Sequence, residues 1–195
     1  GALHPGHASL IEQAAQDCEE VVVSIFVNPT QFNNLEDFEA YPLMMDKDLA
    51  VAQQAGATVI FAPHVDELYG GDLEVAPVDY GQLTSSYEGQ KRKGHFDGVV
   101  AVVRKLFSAV EADAAFFGEK DLQQLAVIRK LAEEEFIGLE IAGCPLIREP
   151  DGFIFQQFHL LPELTALHNV ALPLKLRGQA GAEDQARFWL DKVGL

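Results

Sequence analysis

Short apolar runs that suit buried strands alternate with helical segments over the first three quarters of the chain, and this alternation limits the possible folds more than any other feature. The runs Glu20–Val27 and Thr58–Ala62 are rich in β-branched residues and have few polar breaks, as strands of a parallel sheet do. Ala114–Phe117 and Leu139–Ala142 are two shorter runs of the same kind. Since parallel strands are joined by crossovers, the chain is predicted to be an α/β protein with a doubly wound parallel sheet.

Helices are predicted where apolar residues recur at helical spacing or where capping residues mark an end: from His7 to Asp17, Asp46–Ala55, Val99–Val110 and Leu122–Glu135. Asp46 is the expected N-cap of its helix. Shorter elements are predicted as helical turns at Val65–Leu68 and Gln82–Tyr87, a peripheral strand at Glu74–Val78 and a loop at Glu88–Gly98.

The sequence changes character after Gly152, and a domain boundary is predicted there. Residues 1–152 carry the strand–helix alternation and form the first predicted domain. Residues 153–195 are predicted to form a helical appendage with helices at Glu163–Asn169 and Ala182–Val193.

The composition excludes several classes of protein. The net charge of −16 argues against a general nucleic-acid-binding surface, although a phosphate site needs only local positive charge. No apolar stretch reaches the ~18–20 residues that span a bilayer, and the sequence shows no pattern of a secretion signal. Cys18 and Cys144 stand far apart and are expected to be reduced thiols, so a cytoplasmic protein is predicted.

A histidine-containing turn, His4-Pro5-Gly6-His7, precedes the first predicted helix. Pro5 suits an early helical position, and Gly6 lets the backbone approach a ligand closely. Both imidazoles can then point to one side of a helix N-terminus, where free N–H groups and the helix dipole favour phosphate. The alternative at this stage is a pair of surface histidines near a frayed end.

Polar segments follow two of the predicted strands directly: Asn28–Phe32 and Gly118–Asp121. In doubly wound sheets ligands bind outside the carboxyl ends of the strands, so these segments are expected on the same rim as the histidine turn. Glu88–His95 adds cations and an imidazole.

The polar residues of this rim include donors but no evident nucleophile. The Gly-x-Ser-x-Gly elbow, an activated cysteine and a Cys-x-x-Cys metal cage are all absent from the sequence. A site of this kind fits nucleotidyl transfer, in which the protein orients the substrates and neutralises charge that develops on phosphate.

Five linked motifs resemble the pantothenate synthetase (pantoate–β-alanine ligase) family, in that family's order and at about its spacing: Gly1–His7, Val23–Phe32, Gly94–Val99, Phe117–Asp121 with Gln123-Gln124, and Arg148–Gly152. The resemblance implies a Rossmann-like nucleotide- and pantoate-binding domain of the HxGH nucleotidyltransferase type. It also implies an ATP-dependent ligase that joins pantoate to β-alanine through a pantoyl adenylate, releasing pyrophosphate and AMP. ATP, Mg²⁺ held by the ATP phosphates rather than by a protein metal site, and a homodimer are implied with it.

The resemblance also implies roles for individual residues. The residues expected to act in catalysis are His4, His7, Lys120 and Arg92. Those expected to bind ATP are Gly6, His7, Gly118, Lys120, Asp121 and Ile147. Gln31, Gln124 and Asn28 are expected to bind pantoate, and His95 is expected on the β-alanine side.

Simpler interpretations of these residues remain open from sequence alone. Asn28 and Gln31 fit ordinary turn chemistry after a strand. Lys120 and Asp121 fit a surface pair or a helix cap. Arg92 fits a solvated charge run, and Gln124 fits ordinary helix surface.

The sequence departs from the family pattern after Gly152. Where the family has a Met-Ser-Ser-Arg-Asn run, this chain has Phe155, Gln156, Gln157 and Phe158, followed by His159. Phenylalanine cannot donate to phosphate. The family's first strand and much of its C-terminal domain have no counterpart in the 195 residues, so both ends are expected to be truncated. A second hypothesis follows: a degenerate or truncated homologue that binds pantoate or nucleotide with little turnover.

Overall fold

The computed structural model describes residues 2–31, 44–147, 165, 167, 168, 171 and 181–192. The chain divides into two compact units, Gly1–Ile147 and Arg148–Leu195. The boundary predicted after Gly152, the predicted helix Glu163–Asn169 and the Phe155–Phe158 segment lie wholly or mostly outside the described residues.

The strands of the first unit pair in parallel, as predicted. Strand β1 (Val22–Ser24) pairs with β2 (Val59–Phe61), with Val22 opposite Val59. Strand β3 (Ala114–Gly118) pairs with β4 (Glu140–Cys144), with Ala114 opposite Glu140. Within the described residues these strands form two separate two-stranded ladders.

The helices of the first unit are α1 (Pro5–Asp17), α2 (Met45–Gln54), α3 (Val65–Tyr69), α4 (Gln82–Ser85), α5 (Glu88–Lys91), α6 (His95–Val110) and α7 (Leu122–Glu135). Two 3₁₀ turns, Pro29–Gln31 and Glu119–Asp121, follow β1 and β3 on the side of their carboxyl ends. In the second unit, α8 spans Ala182–Lys192. Among the residues that the structure describes, no helix has the length and apolar character needed to cross a membrane.

Two hydrophobic clusters hold the first unit together. The larger joins α6 to α7 and buries Val100, Val127, Ile128 and Leu131 completely. Leu125, Ile128 and Leu131, whose helical spacing predicts one apolar face of α7, are all buried. The smaller cluster packs α1 against α2, with Ile11 and Ala14 on one side and Ala52 and Ala55 on the other.

The predicted bounds of several elements are wrong, and hydrogen bonding explains the clearest case. Residues 74–78 form no strand, because the Val78 N–H donates to the Asp97 carboxylate at 2.9 Å instead of to a neighbouring strand. The strand predicted at Glu20–Val27 is reduced to Val22–Ser24. The N-cap of α2 is Met44 rather than Asp46, which lies in the first turn.

The predicted loop at Glu88–Gly98 is largely helical. Residues 88–91 form α5, and α6 begins at His95 rather than at Val99. Gly94 makes this early start possible, because its φ of 78° lies in the left-handed region that glycine enters at little cost. His95 therefore stands in the first turn of a long helix.

Helix α6 approaches the Pro29–Gln31 turn closely at Gly98. A Cβ atom added at Gly98 would lie 2.5 Å from the Thr30 carbonyl oxygen and 2.8 Å from its carbon. The Asn28 side chain bridges the same contact by donating to the Gly98 carbonyl at 3.1 Å. The absence of a side chain at Gly98 therefore sets the distance between two segments of the predicted rim.

We expect Gly98→Ala to destabilise the fold by ~1–3 kcal/mol, because backbone atoms must move to admit the methyl group. At a helical glycine with open space around it, the same change would instead stabilise the fold by about 1 kcal/mol. Ser108→Ala, at an exposed position of the same helix, is the matched control and should be neutral or slightly stabilising. Urea unfolding of the variants measures the difference, and a stabilised Gly98→Ala variant would contradict the close approach.

Candidate active site

The histidine turn caps α1 through its own side chains. His4 is the N-cap, and its Nδ1 accepts the Gly6 N–H at 3.1 Å. His7 Nδ1 accepts the His4 N–H at 3.3 Å, so the two histidines form a reciprocal capping box. Their ring centroids lie 3.9 Å apart. The turn is therefore an ordered helix start, and the two imidazoles are side by side.

Both imidazoles are neutral at physiological pH. The pKa of His7 is lowered to about 4, chiefly by burial and then by the neighbouring His4, while Asp48 opposes the change. Burial and the Lys120 charge lower the pKa of His4. Since Nδ1 accepts in both rings, the ring hydrogen is on Nε2, which makes Nε2 the donor. The pair offers N–H donors without the cost of burying two positive charges.

Lys120 and Asp121 lie in the 3₁₀ turn that follows β3. The charge of the Lys120 ammonium contributes to the lowered pKa of both His4 and His7. It also contacts the Asp121 carboxylate at 3.2 Å. Asp121 occupies the N-cap position of α7 without a side-chain cap hydrogen bond.

Asn28 is the centre of a buried hydrogen-bond network. Its side chain is 3% exposed, and its amide nitrogen donates to the Gly98 carbonyl and, at 3.4 Å, to Gln31 Oε1. Its amide oxygen accepts from the Tyr69 hydroxyl at 2.7 Å and from the Thr30 hydroxyl at 3.0 Å. Protein groups thus occupy both ends of the Asn28 amide, and the same contacts hold Gln31 in place.

His95 connects this network to the cationic segment. Arg92 Nη1 lies 3.2 Å from His95 Nε2, and because arginine only donates, Nε2 is the acceptor. The remaining ring hydrogen is then on Nδ1, which faces the Gln31 carbonyl at 3.5 Å. Burial lowers the pKa of His95, and the Arg92 charge lowers it further. The Glu88 and Asp121 charges act in the opposite direction.

Two groups of predicted residues are thereby brought together: His4 and His7 with Lys120, and Asn28, Gln31 and Arg92 around His95. Asp121 contacts Lys120 of the first group at 3.2 Å, and its charge acts on His95 of the second.

The other predicted residues show weaker connections to these groups. Gly118 ends β3 at the start of the Lys120 turn, and the space beside its Cα is open. Gln124 is a partly exposed residue in the first turn of α7. Ile147 is 39% exposed and is the last residue of the first unit.

Three contributors were not predicted from sequence: Asp48, Tyr69 and Gln123. Gln123 donates to the Leu83 and Ser86 carbonyls and accepts the Glu88 N–H, so it holds α5 against α7. Asp48 carries a usable sequence signal, because it precedes Ala52 by one helical turn on the buried face of α2. Tyr69 gives no such signal, since it reaches Asn28 only in the tertiary structure.

A cavity of about 700 Å³ lies elsewhere in the first unit. Phe61, Pro63, Arg104 and Ser108 are among its lining residues, and none of the predicted site residues lines it. The donor chemistry, rather than cavity size, therefore locates the candidate site.

Curated relatives are similar in sequence to this chain over most of its length. It is 50% identical over 158 residues to the pantothenate synthetase of Rubrobacter xylanophilus, which covers 78% of this chain and 54% of that protein. It is 42% identical over 187 residues to the pantothenate synthetase of Acinetobacter baumannii, covering 95% of this chain and 65% of that protein. The chain thus spans between about half and two thirds of the length of these relatives.

Solved structures show the same similarity. The pantothenate synthetase of Thermus thermophilus matches with a TM-score of 0.76 and 38% identity, over 100% of this chain and 74% of that one. The pantoate-beta-alanine ligase of Francisella tularensis, complexed with beta-gamma ATP and beta-alanine, matches with a TM-score of 0.80 and 31% identity. That match covers 95% of this chain and 75% of the other. The fold is therefore that of a Rossmann-like nucleotidyltransferase, as predicted.

Residues 1–156 match the family described as pantoate-beta-alanine ligase. Since these residues make up most of the 195-residue chain, the chain belongs to the pantoate-beta-alanine ligase family.

Proposed function

We propose that the chain carries the active-site half of an enzyme that condenses pantoate with β-alanine at the expense of ATP. The observation that carries the proposal is the pair of adjacent neutral imidazoles at the start of α1, both of which feel the Lys120 charge. Membership of a ligase family, and a structural neighbour described as complexed with beta-gamma ATP and beta-alanine, support the same chemistry.

In the first step, the pantoate carboxylate attacks the α-phosphorus of ATP, and the bond to the β-phosphate oxygen breaks. Pantoyl adenylate forms and pyrophosphate leaves. Negative charge grows on the phosphate oxygens in the transition state. His4 and His7 donate from Nε2 to this charge, Lys120 neutralises it, and the N-terminus of α1 adds its dipole. Gly6, Gly118, Asp121 and Ile147 are assigned to the nucleotide.

In the second step, the β-alanine amine attacks the acyl carbon of pantoyl adenylate. The bond to the AMP oxygen breaks, an amide forms and AMP leaves. We assign His95 to the β-alanine side, with Arg92 as the neighbouring cation that faces its ring at 3.2 Å. The proton that the attacking amine loses passes to solvent, because both ring nitrogens of His95 already have hydrogen-bond partners, Arg92 and the Gln31 carbonyl.

Pantoate is assigned to Gln31 and Gln124. Asn28 is assigned to the same pocket. Its amide already has protein partners at both ends, so we infer that it positions Gln31 rather than binding pantoate itself: it contacts Gln31 while Tyr69 and Gly98 hold it in place. Rigid placement of a substrate-binding amide matters because small displacements in such sites reduce rates strongly.

Magnesium is proposed to accompany ATP. Within the described residues, no group of three or more His, Cys, Asp or Glu side chains could hold a metal ion. Nucleotide-bound Mg²⁺ is usually held mainly by phosphates and water. The ion would offset phosphate charge when bound. A cytoplasmic location and a homodimer are further parts of the proposal and rest on the family resemblance.

Pantoate-dependent exchange of pyrophosphate into ATP, followed by AMP release on addition of β-alanine, tests the proposal directly. We expect His7→Ala and His4→Ala each to lower the exchange rate by ~10²–10³-fold, because each removes a donor to the developing charge. His64→Ala is the matched control, since His64 is an exposed N-cap histidine at α3. Substrate binding by the wild-type chain without exchange would instead favour the degenerate homologue.

Tyr69→Phe tests the holding role of Asn28. The change removes the 2.7 Å hydrogen bond to the Asn28 oxygen but keeps the ring that stacks near Phe26. We expect KM for pantoate to rise several-fold with KM for ATP unchanged, because Gln31 loses its fixed position. Tyr80→Phe is the control, and equal changes in both KM values would contradict a pantoate-specific role.

The lowered pKa of His7 also predicts how stability depends on pH. The unfolded chain protonates His7 near its usual pKa of about 6.5, whereas the folded chain does so only near 4. Between these values the unfolded state binds more protons, so stability is lost as the pH falls from about 6.5 towards 4, by up to ~3 kcal/mol. His7→Asn, which keeps an acceptor for the His4 N–H, should lose less stability. Urea unfolding of the wild type and of His7→Asn at pH 7 and pH 4.5 measures the loss of stability in each. An equal loss in both would contradict a buried neutral His7.

A further inference from the structure

A buried carboxylate holds the backbone that leads into the histidine turn. Asp48, in the first turn of α2, is 0% exposed. Its Oδ1 accepts the Leu3 N–H at 2.6 Å, and both carboxylate oxygens accept the Ala2 N–H, at 3.0 and 2.9 Å. Ala2 and Leu3 immediately precede His4. Because an ionised acceptor strengthens hydrogen bonds, these contacts form a strong tether between two segments that are 45 residues apart.

The tether is anchored on a rigid base. Asp48 and Ala52 of α2 and Ala55 at its C-cap lie at helical spacing on one face, and both alanines share a hydrophobic cluster with Ile11 and Ala14 of α1. The Leu3 side chain packs against the same cluster. Helix α2 therefore contacts the histidine helix through its core and the preceding backbone through Asp48.

The tethered backbone has a conformation that an alanine rarely adopts. Ala2 has a φ of 95°, in the region that favours glycine. Such a conformation persists when surrounding contacts fix it, and the two hydrogen bonds from Ala2 N–H to Asp48 do so. The direction in which the chain enters α1 thus depends on Asp48.

We propose that Asp48 is a positioning residue for the imidazole pair: its carboxylate fixes Ala2 and Leu3, and so sets where His4 and His7 present their donors. The inference rests on the proposed function for its catalytic consequence but not for its structural part. Asp48 acts on the pair through the backbone of Ala2 and Leu3 and through its charge.

The charge of Asp48 has a separate, measurable effect on His7. Burial, His4 and Lys120 lower the pKa of His7, whereas Asp48 raises it. Loss of the Asp48 charge should therefore lower the His7 pKa further. A purely structural carboxylate remote from the pair would leave this titration unchanged.

The experiment compares Asp48→Asn, Asp48→Ala and Thr58→Val in the 195-residue chain. Asparagine keeps one acceptor oxygen and removes the charge, whereas alanine removes both. Thr58→Val is the matched control, because it removes the acceptor of the Val21 N–H at 2.9 Å in the same half of the first unit without contacting the histidine turn. Thermal unfolding, exchange kinetics and NMR titration of the histidine rings are measured for each.

We expect Asp48→Ala to lose about 10²-fold in kcat for exchange, Asp48→Asn to lose less, and both to change KM for pantoate little. The His4 and His7 ring resonances should move in Asp48→Asn, and the His7 titration should shift to lower pH. Thr58→Val should lower stability without either effect.

Wild-type kcat together with an unshifted His7 titration in Asp48→Asn would overturn the proposal. If Asp48→Ala does not fold, Asp48→Asn decides. If the wild-type chain shows no exchange, the proposed function fails, and the His4 and His7 ring resonances alone decide whether Asp48 positions the pair.

Discussion

The reciprocal cap at the start of α1 is the interaction on which the site depends. A helix must satisfy its first N–H groups, and here two imidazoles accept them through Nδ1. That use of Nδ1 assigns each ring hydrogen to Nε2, so the need to cap a helix also determines which atom can donate to a ligand. Structure and chemistry are linked through the choice of tautomer.

Burial then makes the donors neutral. Two adjacent imidazoles beside Lys120 could not all carry charge at low cost, and the lowered pKa values of His4 and His7 remove that conflict. Across the rim, Arg92 selects the opposite tautomer for His95 by donating to its Nε2. The site therefore combines two cations with three histidines whose hydrogens are fixed by their partners, which suits the stabilisation of phosphate charge by preorganised groups.

Much of the fold around this site was predictable from the sequence, and the predictions that were wrong have physical explanations. The α7 bounds and its buried face follow from apolar spacing alone, and the parallel pairings follow from the alternation of strands and helices. The Glu74–Val78 prediction failed because a side chain, Asp97, took the Val78 N–H. The Glu88–Gly98 prediction failed because a single left-handed glycine was enough to start α6 early.

The sequence by itself determined the α/β class, the histidine turn and the polar residues that follow β1 and β3, because local periodicity and turn chemistry are written in short segments. Only the tertiary structure decided which groups meet. Asp48 reaches Ala2 and Leu3, and Tyr69 reaches Asn28, across separations of 41 to 46 residues. Such contacts depend on how the helices pack around the two strand ladders. The burial that lowers the His7 pKa depends on the same packing, because it takes side chains from several segments to exclude water from one ring.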